Sequence, residues 1–283
     1  MRGVRAVLVL MVLLAGCSGT GDTAAPTSTS SPTTTQTAAA GEIDASFDVG
    51  GHKLHLYCQG TGSPTVVYLH GLSHAPGDAS GASAASLPSL ISAKHRFCGY
   101  DRANTGSSDK VPGPLTGKTS VADLHRLLHA AQIKPPYVLL GASFGGLIAY
   151  IYAVTYPKEV TGMLLLDAGF PDELDLERYF PEDERATHDE WQGMEEQIDE
   201  LGAYQDAYAL IGKEPAIPVT YLRATQSVLT GPPAFKSAFP KAIAKYIDRF
   251  SPGLVREVES PHYMEAAVPD RIVQELGKVI ASS

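Results

Sequence analysis

Short runs of apolar and β-branched residues alternate with longer amphipathic segments from residue 42 onward. The short runs predict strands, and the longer segments, whose apolar residues recur at helical spacing, predict helices. The predicted strands are Ile43–Val49, His52–Cys58, Thr65–His70, His95–Tyr100, Pro136–Gly141, Thr161–Asp167, Ile217–Ala224 and Leu254–Val258. The predicted helices are Val121–Ala131, Phe144–Tyr156, Pro233–Phe250 and Asp270–Ile280. This alternation predicts an α/β domain with a mostly parallel sheet and helices on both faces.

The first 16 residues follow a different pattern, which predicts a signal peptide. Arg2 and Arg5 precede an apolar run of ten residues, Ala6 to Ala15, whereas a membrane-spanning helix needs roughly twenty. The run ends in Leu-Ala-Gly-Cys17, which resembles the bacterial lipobox, so we expect lipid on Cys17. An ordinary signal peptide followed by a chance cysteine is the alternative.

Residues 17–41 are predicted to form a flexible tether between the lipid and the folded domain, 42–283. Residues 18–41 hold twelve Ser or Thr, two Pro and one charged residue, too little apolar surface to offset the entropy of ordering. We therefore expect an exported protein anchored to the cell membrane or envelope. The net charge of −9 argues against a nucleic-acid partner.

Gly141-Ala-Ser143-Phe-Gly145 is a G-x-S-x-G sequence placed between a predicted strand and a predicted helix. A serine on such a sharp turn projects from the carboxyl edge of the sheet, above a helix N-terminus that favours negative charge. Ser143 is therefore the candidate nucleophile. A structural turn with a helix-capping serine is the alternative.

With this motif in its context, residues 42–283 resemble the α/β-hydrolase superfamily, serine branch. Tyr68-Leu-His-Gly71 is similar to the end of the family's third strand and the start of its oxyanion loop, and Tyr100–Asp109 is similar to the segment after its fourth strand. The resemblance implies an eight-stranded, mostly parallel sheet, a helical cap insertion and a catalytic Ser-His-acid triad.

His262 is the candidate base, because it lies in the loop between the last predicted strand and the last helix, where the family carries its histidine. His70 and His74 belong to the oxyanion loop and are weaker candidates. His125 and His129 lie one helical turn apart, a spacing that favours a surface face over a ligand pair.

The family usually carries its acid after the seventh strand, but residues 225–231 contain no carboxylate. A minority carries it one strand earlier, where Asp167 ends the predicted sixth strand. Asp167 is therefore the candidate acid, which would hold the Nδ1 proton of His262. A turn-forming aspartate is the alternative role, and Glu259 is the alternative acid.

Backbone N–H groups must also stabilise the developing oxyanion. The resemblance implies that Phe144, directly after the nucleophile, supplies one and that the loop after Gly71 supplies the other, most simply at Leu72.

Residues 171–213 interrupt the alternation and resemble the superfamily's cap. Apolar residues at helical spacing predict one buried helix face here; these are Trp191, Met194, Ile198 and Leu201. Residues 171–200 also hold thirteen acidic residues against two arginines, a net charge of −11. We expect this charge on a solvated face. A sharper hypothesis is that it disfavours anionic substrates.

Two cysteines besides Cys17 remain, and export favours their pairing. Because the family places its second and fourth strands side by side, the resemblance implies a Cys58–Cys98 disulfide.

The expected function is hydrolysis of a small-molecule carboxylic ester through an acyl-enzyme, without a cofactor or metal. The missing acid after strand seven keeps a second hypothesis open, a catalytically inactive surface lipoprotein that uses the fold as a ligand-binding module.

Overall fold

The computed structural model of the protein describes residues 41–72 and 86–283. The expected signal peptide, Cys17 and the tether up to residue 40 lie outside the described residues, as does His74.

The described residues form one sheet of eight strands. These are β1 (Ile43–Asp48), β2 (Lys53–Gln59), β3 (Thr65–Leu69), β4 (Phe97–Tyr100), β5 (Tyr137–Ala142), β6 (Val160–Leu166), β7 (Val219–Ala224) and β8 (Gly253–Val258). Their order across the sheet is β1-β2-β4-β3-β5-β6-β7-β8. The pairs β1–β2 and β2–β4 are antiparallel, and all the others are parallel. The predicted mostly parallel α/β architecture is confirmed.

Helices cover both faces of this sheet. They are α1 (Leu87–Ser92), α2 (Gly117–Ala130), α3 (Phe144–Thr155), α4 (Glu173–Leu176), α5 (Glu200–Tyr208), α6 (Pro233–Ile247), α7 (Met264–Ala267) and α8 (Pro269–Ala281). In the part of the chain that the structure describes, no helix is both long and apolar enough to cross a membrane.

The central strand β5 shows why strands of this sheet consist of consecutive apolar residues in the sequence. All six of its residues are buried. Tyr137 and Leu139 face the core under α2, α3 and α6, whereas Val138 and Leu140 face the core under α1 and α8. Successive side chains of a strand point to opposite faces, so a strand covered on both faces needs apolar residues at every position.

Helices α1 and α2 show where the helix prediction falls short. The six-residue α1 was not predicted, because so short an element carries too few turns for periodicity to detect. Helix α2 begins at Gly117, four residues before the predicted start, because Thr116 and Thr119 form a capping box that fixes its N-terminus.

The single helix face predicted across residues 191–201 is wrong. Short 3-10 segments, Glu182–Glu184 and Glu190–Gly193 among them, precede α5, which begins only at Glu200. Asp199 caps α5 by accepting a hydrogen bond from the Gly202 N–H. Buried Ile198 instead pairs with Leu115 in an isolated β-bridge, so its burial comes from the body of the domain rather than from a helix face.

The expectation that the acidic run lies on a solvated face is wrong for Asp172, Glu173, Glu196 and Glu200, which are all 5% exposed or less. Asp172 binds Arg249 through two hydrogen bonds of 2.6 Å. Glu196 pairs with Arg102 at 2.8 Å. Specific partners therefore draw part of this charge into the protein, which composition alone does not reveal.

A disulfide joins Cys58 and Cys98. The two residues lie directly opposite each other in the antiparallel β2–β4 pair, and both are fully buried. This is the pairing that the resemblance implied.

Candidate active site

Ser143 occupies the sharp turn between β5 and α3, with φ of 51° and ψ of −126°. Positive φ is unfavourable for a residue that carries a Cβ atom, and such strain is typical of a nucleophile turn. The turn is held by hydrogen bonds from the Ser143 N–H to the Leu166 carbonyl (3.1 Å) and from the Gly169 N–H to the Ser143 carbonyl (2.8 Å).

The two glycines that flank Ser143 are required by close backbone contacts. A Cβ atom on Gly141 would lie 2.7 Å from the Cα atom of Gly146, and one on Gly145 would lie 2.0 Å from the Leu69 carbonyl oxygen. Side chains at these positions would push α3 away from the sheet. The G-x-S-x-G pattern therefore has a direct steric cause here.

Asp167 follows β6, the neighbour of β5, and also has a positive φ, of 40°. Its side chain faces His262, which lies between β8 and α7. The His262 Nδ1 atom is 2.8 Å from the Asp167 Oδ2 atom, and both side chains are at most 14% exposed. A carboxylate in this position selects the tautomer with the proton on Nδ1, which leaves Nε2 as the basic nitrogen.

Two further groups hold the Asp167 carboxylate. The Ala224 N–H donates to Oδ1 at 3.1 Å, and the Ser227 hydroxyl donates to Oδ2. Sequence reasoning missed Ser227, because the segment after β7 was searched only for a carboxylate. The available signal was the position of Ser227 just after the seventh strand. There its hydroxyl supports an acid, Asp167, that comes from the end of the sixth strand.

His70, a weaker candidate for the base, is engaged in other contacts. The Nδ1–H of buried His70 donates to the Gly71 carbonyl at 2.7 Å, and its Nε2 atom accepts from the Arg102 N–H at 3.5 Å. Burial, and then the charge of Arg102, lowers the pKa of His70 well below its ordinary value. The alternative acid, Glu259, is exposed.

The start of the predicted oxyanion loop lies against Ser143, the candidate nucleophile. A Cβ atom on Gly71 would lie 3.0 Å from the Ser143 Cβ atom and 3.6 Å from its Oγ atom. Leu72 and Phe144, the two candidate N–H donors, line the same cavity as Ser143.

Arg102 holds this loop in place. Its guanidinium donates to the carbonyl oxygens of His70 and Gly71 at 2.6 Å each, and to the Glu196 carboxylate. Arg102 is 3% exposed and Glu196 is fully buried. Arg102 therefore links the oxyanion loop to the cap, a role that sequence reasoning did not assign.

Ser143, Asp167 and His262 meet in one cavity of about 690 Å³, which also includes space at its mouth. The cap contributes Glu173, Glu200 and Tyr204 to its wall, and α6 contributes Phe239. Among the described residues, Ser143 and His262 share this cavity without a direct hydrogen bond. Hydrogen bonds between catalytic groups often tighten only when substrate binds.

A family model described as the alpha/beta hydrolase fold matches residues 64–232, more than half of the chain. The protein therefore belongs to the α/β-hydrolase fold family.

Relatives and solved structures agree with this family. The uncharacterized protein YbdG of Bacillus subtilis (strain 168) is 30% identical over 126 residues, which are 44% of this chain and 38% of YbdG. The match covers 38% of YbdG and 35% of the uncharacterized protein YqjL of the same organism, so the chain spans little more than a third of the length of these curated relatives. Mouse alpha/beta hydrolase domain-containing protein 10 superposes with a TM-score of 0.63 at 14% identity, over 84% of this chain and 98% of the mouse chain. The esterase EaEST from Exiguobacterium antarcticum gives a TM-score of 0.57 at 18% identity, over 85% of this chain and all of the esterase. These two likenesses are likenesses of fold.

Proposed function

We propose that this protein is a serine hydrolase that cleaves carboxylic esters through an acyl-enzyme. The observation that carries the proposal is the 2.8 Å contact between His262 Nδ1 and Asp167, made in the cavity into which the strained turn brings Ser143. A serine, a base and an acid that orients the base are the parts that acyl transfer requires.

In the proposed reaction, the Ser143 Oγ atom attacks the ester carbonyl carbon while His262 Nε2 takes the hydroxyl proton. Asp167 stabilises the imidazolium that forms. The tetrahedral intermediate collapses, and its alkoxide leaves with the proton from His262. Water, deprotonated by His262, then attacks the acyl-enzyme carbonyl and releases the carboxylic acid together with free Ser143.

The proposed oxyanion donors are the N–H groups of Leu72 and Phe144. The Gly71 carbonyl points toward the Arg102 guanidinium, 2.6 Å away. In a trans peptide the following N–H points the opposite way, so this contact turns the Leu72 N–H away from Arg102. Leu72 and Phe144 line the cavity that contains Ser143. This supports the proposal that their N–H groups donate to the carbonyl oxygen of a substrate bound at Ser143.

The competing hypothesis of an inactive binding module rested on the missing acid after β7. Asp167 instead comes from the end of β6 and faces His262 at hydrogen-bonding distance. This geometry supports the enzyme over the binding module.

Labelling with a fluorophosphonate probe tests the proposal. We expect the wild-type protein to be labelled, Ser143→Ala to be unlabelled, and His262→Ala to be labelled far more slowly. Ser107→Ala, which changes an exposed serine in a loop, is the matched control and should label like the wild type. A well-folded wild type that takes no label would reject the hydrolase and favour the binding module. Turnover of esters, thioesters and amides then defines the substrate, with esters expected to react fastest.

We also propose that lipid on Cys17 anchors the protein to a membrane after export. Metabolic labelling with a radioactive fatty acid should mark the wild type and not Cys17→Ser. Equal labelling of the two proteins would reject the anchor.

A further inference from the structure

The cap places two buried carboxyl groups in the cavity that contains Ser143. Glu173, at the start of α4, is 4% exposed, and Glu200, at the start of α5, is 5% exposed. Both line the cavity wall together with Tyr204. Glu173 accepts a hydrogen bond from the Phe170 N–H at 3.1 Å. The Glu200 Oε2 atom is buried and has no hydrogen-bond partner among the described residues.

The neighbouring charges that act on Glu200 are negative, like that of its own carboxylate. After burial, the largest effects that raise its pKa come from other glutamates, first Glu173 and then Glu190 and Glu177. Burial likewise raises the pKa of Glu173 to about 8. Buried carboxyl groups without a cationic partner are costly, and they either keep a proton or bind a cation.

The protein supplies little positive charge to this wall. Arg223 is the one lysine or arginine among the described residues that line the cavity. Its guanidinium binds Glu257 at 2.5 Å, where the Glu257 side chain is 65% exposed. Arg102 is held by Glu196 at 2.8 Å. Aromatic rings, which favour organic cations, are present in the wall as Tyr204 and Phe239.

We propose that Glu173 and Glu200 form a subsite for an organic ammonium group of the substrate. The subsite rests on the proposed hydrolase function and makes it specific, because the preferred esters would carry a positive charge in the acyl or the alcohol portion. The bound ammonium group replaces the proton that the carboxyl pair otherwise keeps, so its binding releases protons to the solvent.

Matched ester pairs test the subsite. In each pair, one ester carries a trimethylammonium group and the other carries a tert-butyl group of the same size, on either the acyl or the alcohol side. We expect kcat/KM to favour the cationic member of at least one pair by about 10- to 100-fold, the range for charge-assisted contacts. Glu200→Gln should reduce that ratio to about one, whereas Glu182→Gln, which changes an exposed acid of the cap, should preserve it.

The outcomes separate this subsite from the hydrolase itself. Turnover of neutral esters with no cationic preference in either pair overturns the subsite and leaves the hydrolase intact. Calorimetry on Ser143→Ala, which cannot turn the esters over, measures binding of the same pairs and applies even if no ester is cleaved. Tighter binding of a cationic member with proton release supports the subsite, and equal affinities overturn it.

A second inference rests on a different cluster of side chains, beside the C-terminal end of α3. His125 and His129 lie one turn apart on α2, and Glu159 precedes β6. The His125 Nε2 atom is 3.1 Å and the His129 Nε2 atom 3.4 Å from the same Glu159 Oε1 atom. All three potential ligand atoms lie within 4.8 Å of one another.

The two His–Glu159 separations, 3.1 and 3.4 Å, fit the edges of a zinc coordination tetrahedron. Ligands about 2.0–2.1 Å from Zn²⁺ lie about 3.3 Å from each other. Outer contacts also fix the ligands, since the Tyr152 hydroxyl donates to Glu159 Oε2 at 2.6 Å and the Tyr156 ring stacks on His125 at 3.9 Å. Such outer contacts orient metal ligands in established sites.

The geometry points to a divalent transition-metal site, with Zn²⁺ the favoured ion, made by His125, His129 and Glu159. Its fourth position faces solvent, because the His129 side chain is 57% exposed. The spacing that suggested a surface face thus becomes a ligand set once Glu159 is brought beside it.

Calorimetry and thermal unfolding with zinc chloride test this site. We expect one ion per chain with micromolar affinity, and a higher Tm in the presence of zinc. Both effects should be lost in His129→Ala and kept in His188→Ala, which changes another exposed histidine that contacts an acid. Tetrahedral visible absorption on binding Co²⁺ supports the ligand geometry. Equal zinc affinity in the wild type and His129→Ala would overturn the site.

Discussion

His262 Nδ1 lies 2.8 Å from Asp167 Oδ2, although 95 residues separate the two in the chain. The parallel strands of the sheet end at one edge, and this places the loop after β8 above the end of β6. The same edge carries Ser143, so one side chain from each of three loops enters a single cavity.

The first prediction concerns this contact. Asp167→Asn should lower kcat for ester hydrolysis by about 10³- to 10⁴-fold, as removal of a triad acid does elsewhere, because the amide stabilises the wrong tautomer of His262. Steady-state kinetics measure the loss. A matched Glu259→Gln variant changes the exposed alternative acid and should keep the wild-type rate; the reverse order of effects would reassign the acid.

Ser227 should act as a positioning residue through Asp167. Removing its hydroxyl in Ser227→Ala deletes one hydrogen bond to the carboxylate, and we expect kcat to fall about 10- to 100-fold, the range for a bond to a charged group. Ser227→Thr, which keeps the hydroxyl, should recover most of the rate. Thr225→Ala, at an exposed position in the same loop, serves as the control. A rise in KM with an unchanged kcat would show that Ser227 only contacts the substrate.

Substitutions of the Arg102–Glu196 pair should affect the stability and the activity of the protein differently. Arg102→Met leaves the buried Glu196 carboxylate without its arginine partner and should cost about 3–5 kcal/mol of unfolding free energy. The double variant Arg102→Met/Glu196→Met should recover most of that stability, because apolar side chains often replace a buried ion pair without loss.

Activity of the same double variant should stay about 10²-fold below the wild type, as expected when an oxyanion donor is misplaced. The carbonyl oxygens of His70 and Gly71 would have lost their guanidinium donor. Urea unfolding and kcat are measured on the same samples. A double variant with full activity would show that Arg102 does not position the oxyanion loop.

Glu173 should make stability depend on pH. Burial raises its pKa from the ordinary 4.5 to about 8, so between these values the folded protein keeps a proton that the unfolded chain releases. Stability is therefore full below about pH 4.5 and falls as pH rises toward 8. Glu173→Gln removes this loss. By urea unfolding, the variant should gain on the order of a few kcal/mol relative to the wild type between pH 5 and pH 8.

The control for this comparison is Glu182→Gln, whose side chain is exposed; its difference from the wild type should be the same at both pH values. If the Glu173→Gln difference is equally constant, Glu173 does not carry the pH dependence.

Two glycine substitutions should change the free energy of unfolding in opposite directions. Gly145→Ala forces a Cβ atom to within 2.0 Å of the Leu69 carbonyl oxygen and should cost about 3 kcal/mol or more. Gly277→Ala lies in α8, where a Cβ atom meets nothing within 4 Å, and should add about 0.5–1 kcal/mol through helix propensity. Equal effects in chemical denaturation would reject the steric account of the G-x-S-x-G turn.

The sequence by itself determined the alternation of strands and helices, because apolar runs and helical spacing are local signals that burial on both faces of a sheet imposes. It also placed Ser143, Asp167 and His262 at the ends of strands, where chain order and the family resemblance are sufficient. The Cys58–Cys98 pair followed from the family's strand order in the same way.

Only the tertiary structure decided the contacts between distant segments. Ser227 holding Asp167, Arg102 joining the oxyanion loop to Glu196, and Glu159 meeting two histidines all pair residues with no shared local pattern. The acidic cap shows the physical reason. Its composition predicts solvation, but whether a carboxylate such as Glu196 or Glu200 is buried depends on which side chains the folded chain brings against it.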